Sequence, residues 1–307
     1  MRILFAGTPD AAVPALEALL QSEHDVVAVL TRPDAQAGRG RTRHRSPVGQ
    51  RADDAAIAVL TPTTLREPGI EQQLRDLHLD CAAIVAYGAL IPPAALTIPK
   101  HGWINVHFSL LPRWRGAAPV QHAIAAADPE VGVSTFQLEA GLDTGPVFAQ
   151  RALLLGPTDT AGGVLQRLAQ IGARTLVETL DAVADGSARP VAQPEEGITL
   201  APKISVSDSE VDFTASATEI DHFIRSRTPN PGAWSVINGV RLRLGPVQIT
   251  DEDPRPPGVV RTSKREVTIG TADHPVRLGE IQPPGKRPMA APDYARGARW
   301  GELERHG

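Results

Sequence analysis

Apolar residues along the first half of the chain come in short blocks that alternate in period. Ile3 to Ala6 is an unbroken apolar run, the pattern of a buried strand. Ala11 to Gln21 sets Leu16, Leu19 and Leu20 at helical spacing. Val26 to Leu30 returns to a β-rich run, and Ser46-Pro47 reads as a helix N-cap followed by proline at the first helical position. Residues 56–60 and 81–86 supply two further apolar strands, and Trp103 to Phe108 another. This alternation predicts an α/β fold: a Rossmann-like, mostly parallel sheet with helices on both faces. Its crossovers should be right-handed, and ligands should gather at the carboxyl ends of its strands.

The second half reads differently. A long helical pattern runs from about Thr160 to Asp181 through Leu165, Leu168, Ile171, Leu176 and Leu180. Residues 186–202 are rich in Gly, Pro and Ala without periodicity, which predicts a surface linker. After one helical stretch, Ala217 to Ser226, short β-like runs follow at 234–237, 240–244, 258–260, 266–269 and 276–278. Asn238-Gly239 between two of them is a hairpin signal. Five short strands predict a small barrel or open sheet. The expected division is residues 1–190, a linker over 191–205, and a β domain over 206–307.

Composition narrows the function classes. With 42% hydrophobic and 21% charged residues in 307, the chain suits a globular protein with ample core. A net charge of −4 excludes a uniformly basic nucleic-acid binder but not a local basic patch. The single cysteine, Cys81, opens an apolar run and can form no internal disulfide, so a buried strand position in a reducing compartment is expected. No run reaches the roughly 20 apolar residues of a membrane helix. The expected location is the cytoplasm, with no membrane partner.

Candidate chemistry centres on Asn105 and His107. On a strand their spacing puts both side chains on one face. An amide and an imidazole together, with a carboxylate such as Asp143 arriving on a later loop, can stabilise an oxyanion and move a proton at one carbon. The alternative is that they only satisfy turn backbone groups. Ser109 to Pro112 forms a plausible binding loop. Gly7-Thr8-Pro9 could cradle a phosphate or simply end its strand; it lacks the dinucleotide glycine pattern, and no P-loop occurs anywhere. Residues 39–45 hold four arginines (Arg39, Arg41, Arg43 and Arg45) and one histidine with no acid, whereas only four of the 31 basic residues are lysine. Such a cluster, beside Gly38 and Gly40, suits a mobile loop on a phosphate backbone, or is a solvated charge run. Trp114, between Arg113 and Arg115, packs on either the loop or a substrate.

These motifs resemble the methionyl-tRNA formyltransferase family. Phe5-Ala6-Gly7-Thr8-Pro9-Asp10 is similar to its opening strand and turn. Thr31-Arg32-Pro33-Asp34, Ala37 to Gly40 and Ser46-Pro47-Val48 resemble its basic insertion. Asn105-Val106-His107, Ser109-Leu110-Leu111-Pro112 and Arg113 to Pro119 resemble its central signature, and Gly141-Leu142-Asp143-Thr144-Gly145 its last catalytic loop. Lys203-Ile204-Ser205, Asn230 to Trp234 and Gln282 to Lys286 resemble its second domain. Ala11 departs from the family, where phenylalanine is frequent, and the basic loop carries arginine where lysine is common.

The resemblance implies a formyltransferase fold followed by an OB-like β-barrel that binds tRNA. It implies transfer of formyl from 10-formyltetrahydrofolate to the α-amine of methionyl initiator tRNA, with no metal, by a monomer. Asn105 would polarise the formyl oxygen, His107 would take a proton, and Asp143 would tune His107. Ser109, Leu110, Leu111 and Pro112 would hold the pterin, with Tyr87 and Gly88 as further contacts. Arg39, with Arg41, Arg43 and Arg45, would meet the tRNA. A folate-dependent enzyme acting on an amino-sugar nucleotide or a glycinamide, or a nucleic-acid-binding module with an inactive enzyme-like domain, are the competing readings.

Overall fold

A computed structural model describes residues 1–36, 43–298 and 300. The chain divides into two units: residues 1–119, 130–153 and 165–201 form the first, and residues 120–129, 154–164 and 202 onward the second.

The first unit is built on a seven-stranded sheet. In chain order its strands are β1 (Arg2–Gly7), β2 (Asp25–Leu30), β3 (Val59–Leu60), β4 (Cys81–Val85), β5 (Trp103–His107), β6 (Glu130–Gln137) and β7 (Val147–Leu154). Across the sheet the order is β7-β6-β5-β4-β1-β2-β3. The pairs joining β3, β2, β1, β4 and β5 are parallel, and β6 runs antiparallel to β5. Strand order reverses direction at β1, so the crevice beyond the carboxyl ends of β1 and β4 is a topological switch point, where such sheets bind ligands. β5 ends beside it at His107.

Period-two burial explains which residues of β5 reach that crevice. Trp103 is fully buried in a core with Leu4, Ala28, Ile84 and Leu74, and its indole N–H donates to the Ala95 carbonyl at 2.9 Å. Asn105 and His107 follow on the same face. Val106 points the other way, onto the long helix Ala161–Ala184, where a Cβ at Gly172 would stand 2.8 Å from Val106 Cγ1. Each large side chain fully buried in this way contributes about 1.5–3 kcal/mol.

The sequence expectations for β1, β2, β4, β5 and the long helix hold. Ser46 caps the helix Pro47–Asp54 by accepting the Gly49 N–H. Cys81 is fully buried, and burial pushes its thiol up to about 12. The expected strand at 56–60 is only Val59–Leu60, because Ala56 turns into the left-handed region at φ 55°. β6 and β7 were not legible: β6 contains Gly132 and a Ser134-Thr135 pair, and β7 is half-exposed along its length. Residues 186–202 are more than a surface path, since Val191 bridges Val147 and Leu200–Ala201 pairs parallel with Arg115–Gly116.

The second unit holds two antiparallel four-stranded sheets. One comprises Trp234–Ile237, Val240–Leu244, Glu280–Gln282 and Met289–Ala290. The other comprises Val247–Ile249, Val260–Thr262, Val267–Ile269 and Val276–Leu278. The strand expected at 258–260 therefore starts later, and those at 247–249, 280–282 and 289–290 are additional. Both sheets contribute to one core, with Ile220 and Ile224 of the helix Ala217–Arg227 buried in it. Ser216 and Glu219 close that helix's N-terminus as a reciprocal capping box. Asn238 and Gly239 both have positive φ, as the tight hairpin requires.

Candidate active site

His107 closes β5 with its side chain 7% exposed. Its Nε2 lies 2.8 Å from the carbonyl oxygen of Trp114. A carbonyl can only accept, so Nε2 carries a proton and donates it. Nδ1 is the other ring nitrogen, and it faces Asp143 Oδ2 at 3.7 Å. That separation suits an ion pair with protonated imidazole and is too long for a hydrogen bond. The ring is therefore oriented mainly by the Trp114 carbonyl, with Asp143 beside it.

Both partners sit on strained backbone. Trp114 has φ 62° and Asp143 φ 50°, in the left-handed region that non-glycine residues seldom occupy. Each is held by neighbours. The Trp114 N–H donates to Thr199 Oγ1 at 2.8 Å. The Asp143 carboxylate accepts the Gly116 N–H at 2.8 Å through the same oxygen that faces His107. Asn105 is half-buried on the same sheet face, paired in register with Ile84 and Phe136. The Phe136 ring stands edge-on to His107 at 6.3 Å. The structure thus brings His107 and Asp143 together and sets Asn105 two residues before His107 on the same strand face.

The loop after β5 is internally bonded. Ser109 Oγ donates to the Arg113 carbonyl at 2.6 Å, and Arg113 N–H donates to the Leu110 carbonyl at 3.1 Å. The Leu111 N–H meets Ser134 Oγ, whose own proton goes to the Ser109 carbonyl. Gln150 Nε2 donates to the Leu111 carbonyl. Leu110 and Pro112 are half-buried, while Ser109 and Leu111 are buried. The loop enters the site with its shape already set. Ser134 and Gln150, which lock it, lie on β6 and β7 and carried no sequence signal of that task.

Other expected contacts fall at different places. Tyr87 is 1% exposed in the core, and its carbonyl accepts from Thr8 Oγ1 at 2.7 Å. The Thr8–Tyr87 bond ties the β1 and β4 ends together, and Gly88 follows at φ 83°. Burial also pushes the Tyr87 phenol up from its usual range. The Tyr87 side chain is thus committed to the core, while Gly88 is exposed. Arg39 and Arg41 lie outside the described residues. Arg43 is exposed on a two-residue ribbon, paired with Gln36. Arg45 is committed elsewhere: its guanidinium makes two bonds of 2.8 Å with Asp53 and stands 3.7 Å from Asp34. Trp114 packs under the Arg113 guanidinium at 4.7 Å. Among the described residues, no group of three or more His, Cys, Asp or Glu side chains could hold a metal, and no helix is long and apolar enough to cross a membrane.

A mostly parallel sheet with an amide and an imidazole on one strand, and a carboxylate brought beside the imidazole by a later loop, makes this an α/β protein with a site suited to group transfer. Residues 1–180 match the family described as formyl transferase, and residues 203–299 match the formyl transferase C-terminal domain. The chain belongs to the formyl transferase family. A methionyl-tRNA formyltransferase of Thermobifida fusca is 54% identical over 308 residues, spanning 100% of this chain and 99% of the relative. One of Streptomyces coelicolor is 52% identical over 309 residues, spanning 100% of both. Among solved structures, the sugar 3N-formyl transferase WlaRD, crystallised in the presence of dTDP and 5-N-formyl-THF, superposes with a TM-score of 0.69. It covers 94% of this chain and 99% of its own at 18% identity, a likeness of fold.

Proposed function

We propose that the protein transfers the formyl group of 10-formyltetrahydrofolate to the α-amine of methionyl initiator tRNA, yielding N-formylmethionyl-tRNA for translation initiation. What carries the acceptor assignment is the end-to-end likeness to methionyl-tRNA formyltransferases, at 54% identity with both chains covered. The chemistry is supported by the residues that meet at the end of β5.

The amine nitrogen attacks the formyl carbon and a C–N bond forms. Negative charge moves onto the formyl oxygen, where the Asn105 amide donates a hydrogen bond. His107 accepts the surplus amine proton at Nδ1, since Nε2 is already tied to the Trp114 carbonyl. The resulting imidazolium is balanced by Asp143. As the intermediate collapses, the bond from the carbon to the folate N10 breaks and the proton goes to that nitrogen, releasing tetrahydrofolate. Because the donor's formyl carbon is already activated by its folate nitrogen, the chain supplies orientation and preorganised charge. Ser109 to Pro112 flank the pterin, with the Tyr87-Gly88 turn contributing backbone.

Arg43, with Arg39 and Arg41, contacts the tRNA acceptor end; Arg45 holds the ribbon to the helix through Asp53. Catalysis is assigned to residues 1–190 together with 191–201, which pair with that unit, and tRNA contacts to residues 206–307. The enzyme works as a monomer in the cytoplasm, in keeping with a lone buried thiol. The test is acceptor choice: the protein is incubated with 10-formyltetrahydrofolate and methionyl initiator tRNA, methionyl elongator tRNA or an amino-sugar nucleotide. Formylation of the first alone is expected. Preferred transfer to the sugar nucleotide would overturn the assignment.

A further inference from the structure

Residues 181–202, between the two family matches, include a side chain bonded to both loops of the site. Gln193 sends its Oε1 to the Arg115 guanidinium, accepting from Nε at 3.1 Å and Nη2 at 2.7 Å. Its Nε2 donates to the carbonyls of Asp143 and Gly145, each at 2.8 Å. These four bonds use the whole hydrogen-bonding capacity of a primary amide. They also fix which way the amide points: a guanidinium only donates and a carbonyl only accepts, so the flipped orientation would lose all four.

The two loops joined by this amide hold the two partners of His107. Arg115 follows Trp114, whose carbonyl takes the Nε2 proton, and Gly116 N–H binds the Asp143 carboxylate. Asp143 itself stands at φ 50°, a conformation that needs outside support. Six residues on, Thr199 Oγ1 accepts the Trp114 N–H, and Leu200–Ala201 pairs with Arg115–Gly116. A segment whose sequence reads as featureless linker therefore grips both sides of the imidazole.

We infer that Gln193 is a positioning residue for formyl transfer, acting with Thr199 to set the distance and orientation of Asp143 and the Trp114 carbonyl about His107. This rests on the functional reading above. All four bonds of Gln193 go to the two loops, so its effect passes through them. Shifts of about 1 Å at such groups cost on the order of 10²-fold in rate.

The test uses Gln193→Leu, which keeps approximate volume and loses all four bonds, and Gln193→Glu, which can still accept from Arg115 but sets a carboxylate against two carbonyls. Both should lower kcat on methionyl initiator tRNA by about 10- to 100-fold while KM for 10-formyltetrahydrofolate stays within about twofold. Amide hydrogen exchange should rise in peptides covering 113–117 and 141–145 and stay at the wild-type level in β1, β4 and the second unit. Unchanged exchange in those two loops, or a kcat within threefold of wild type, would overturn the inference. Wild-type protein inactive on methionyl-tRNA would instead sink the functional reading, and the exchange measurement would still decide the positioning role.

Discussion

A single carbonyl oxygen decides how His107 can act. Because the Trp114 carbonyl accepts the Nε2 proton, Nδ1 is the nitrogen left facing Asp143, at 3.7 Å, and the one the proposed proton transfer would use. Replacing Thr199 by valine removes the bond that holds the Trp114 backbone. We expect a fall in kcat of about tenfold or more and little change in Tm; a loss of Tm without loss of kcat would contradict this. Arg43, exposed on its ribbon, should act on tRNA alone: Arg43→Ala should raise KM for tRNA and flatten its salt dependence, with folate KM unchanged. A residue far from the site sets a pH limit on stability. The His24 side chain, 3% exposed, is held below its ordinary 6.5, first by burial and then by the Met1 ammonium, against the pull of Asp181. Folding then favours neutral His24. Its contribution is complete above pH 6.5 and is lost as pH falls from there through the folded value. His24→Gln should flatten that part of the stability profile measured by denaturant unfolding.

At the scale of elements, close backbone approaches shape the site. A Cβ at Gly145 would overlap the Gln137 carbonyl oxygen, and one at Gly116, where φ is 127°, would stand 2.6 Å from the Ala201 oxygen. Gly145→Ala should therefore cost about 1–3 kcal/mol in chemical denaturation and displace Asp143; an unchanged midpoint would show that the loop yields freely. The elements legible in the sequence are those whose period matches one environment. β1 and β4 are unbroken apolar runs because both faces are covered, and the long helix shows its leucines at helical spacing. β6 and β7 were hidden because β7 lies half-exposed and β6 mixes Gly132, Ser134 and Thr135 with its apolar residues. In the candidate site, the placement of Asn105 and His107 on one strand face was legible from their spacing of two. Trp114, Thr199 and Gln193 were not, since their roles depend on backbone carbonyls and N–H groups, which no side-chain pattern announces.

At the scale of the molecule, the second unit is assembled from three stretches of chain. Gly162 N–H donates to the Thr228 carbonyl at 2.9 Å, and Arg225 Nη1 reaches the Asp159 carbonyl at 2.9 Å. Cutting after Ala201 would strip residues 154–164 of these partners. A fragment of residues 1–201 should melt lower than the full chain and expose apolar surface to a hydrophobic dye; a fragment with the full chain's Tm would contradict the division.

The central claim is that the group at the end of β5 carries formyl transfer to methionyl initiator tRNA. Its most direct test is the turnover of Asn105→Ala with 10-formyltetrahydrofolate and methionyl initiator tRNA, read beside its Tm. Loss of one preorganised oxyanion donor should lower kcat by about 10²–10³-fold while Tm stays near the wild-type value. Activity above about a tenth of wild type in a folded Asn105→Ala protein, against that expected loss, would contradict the claim.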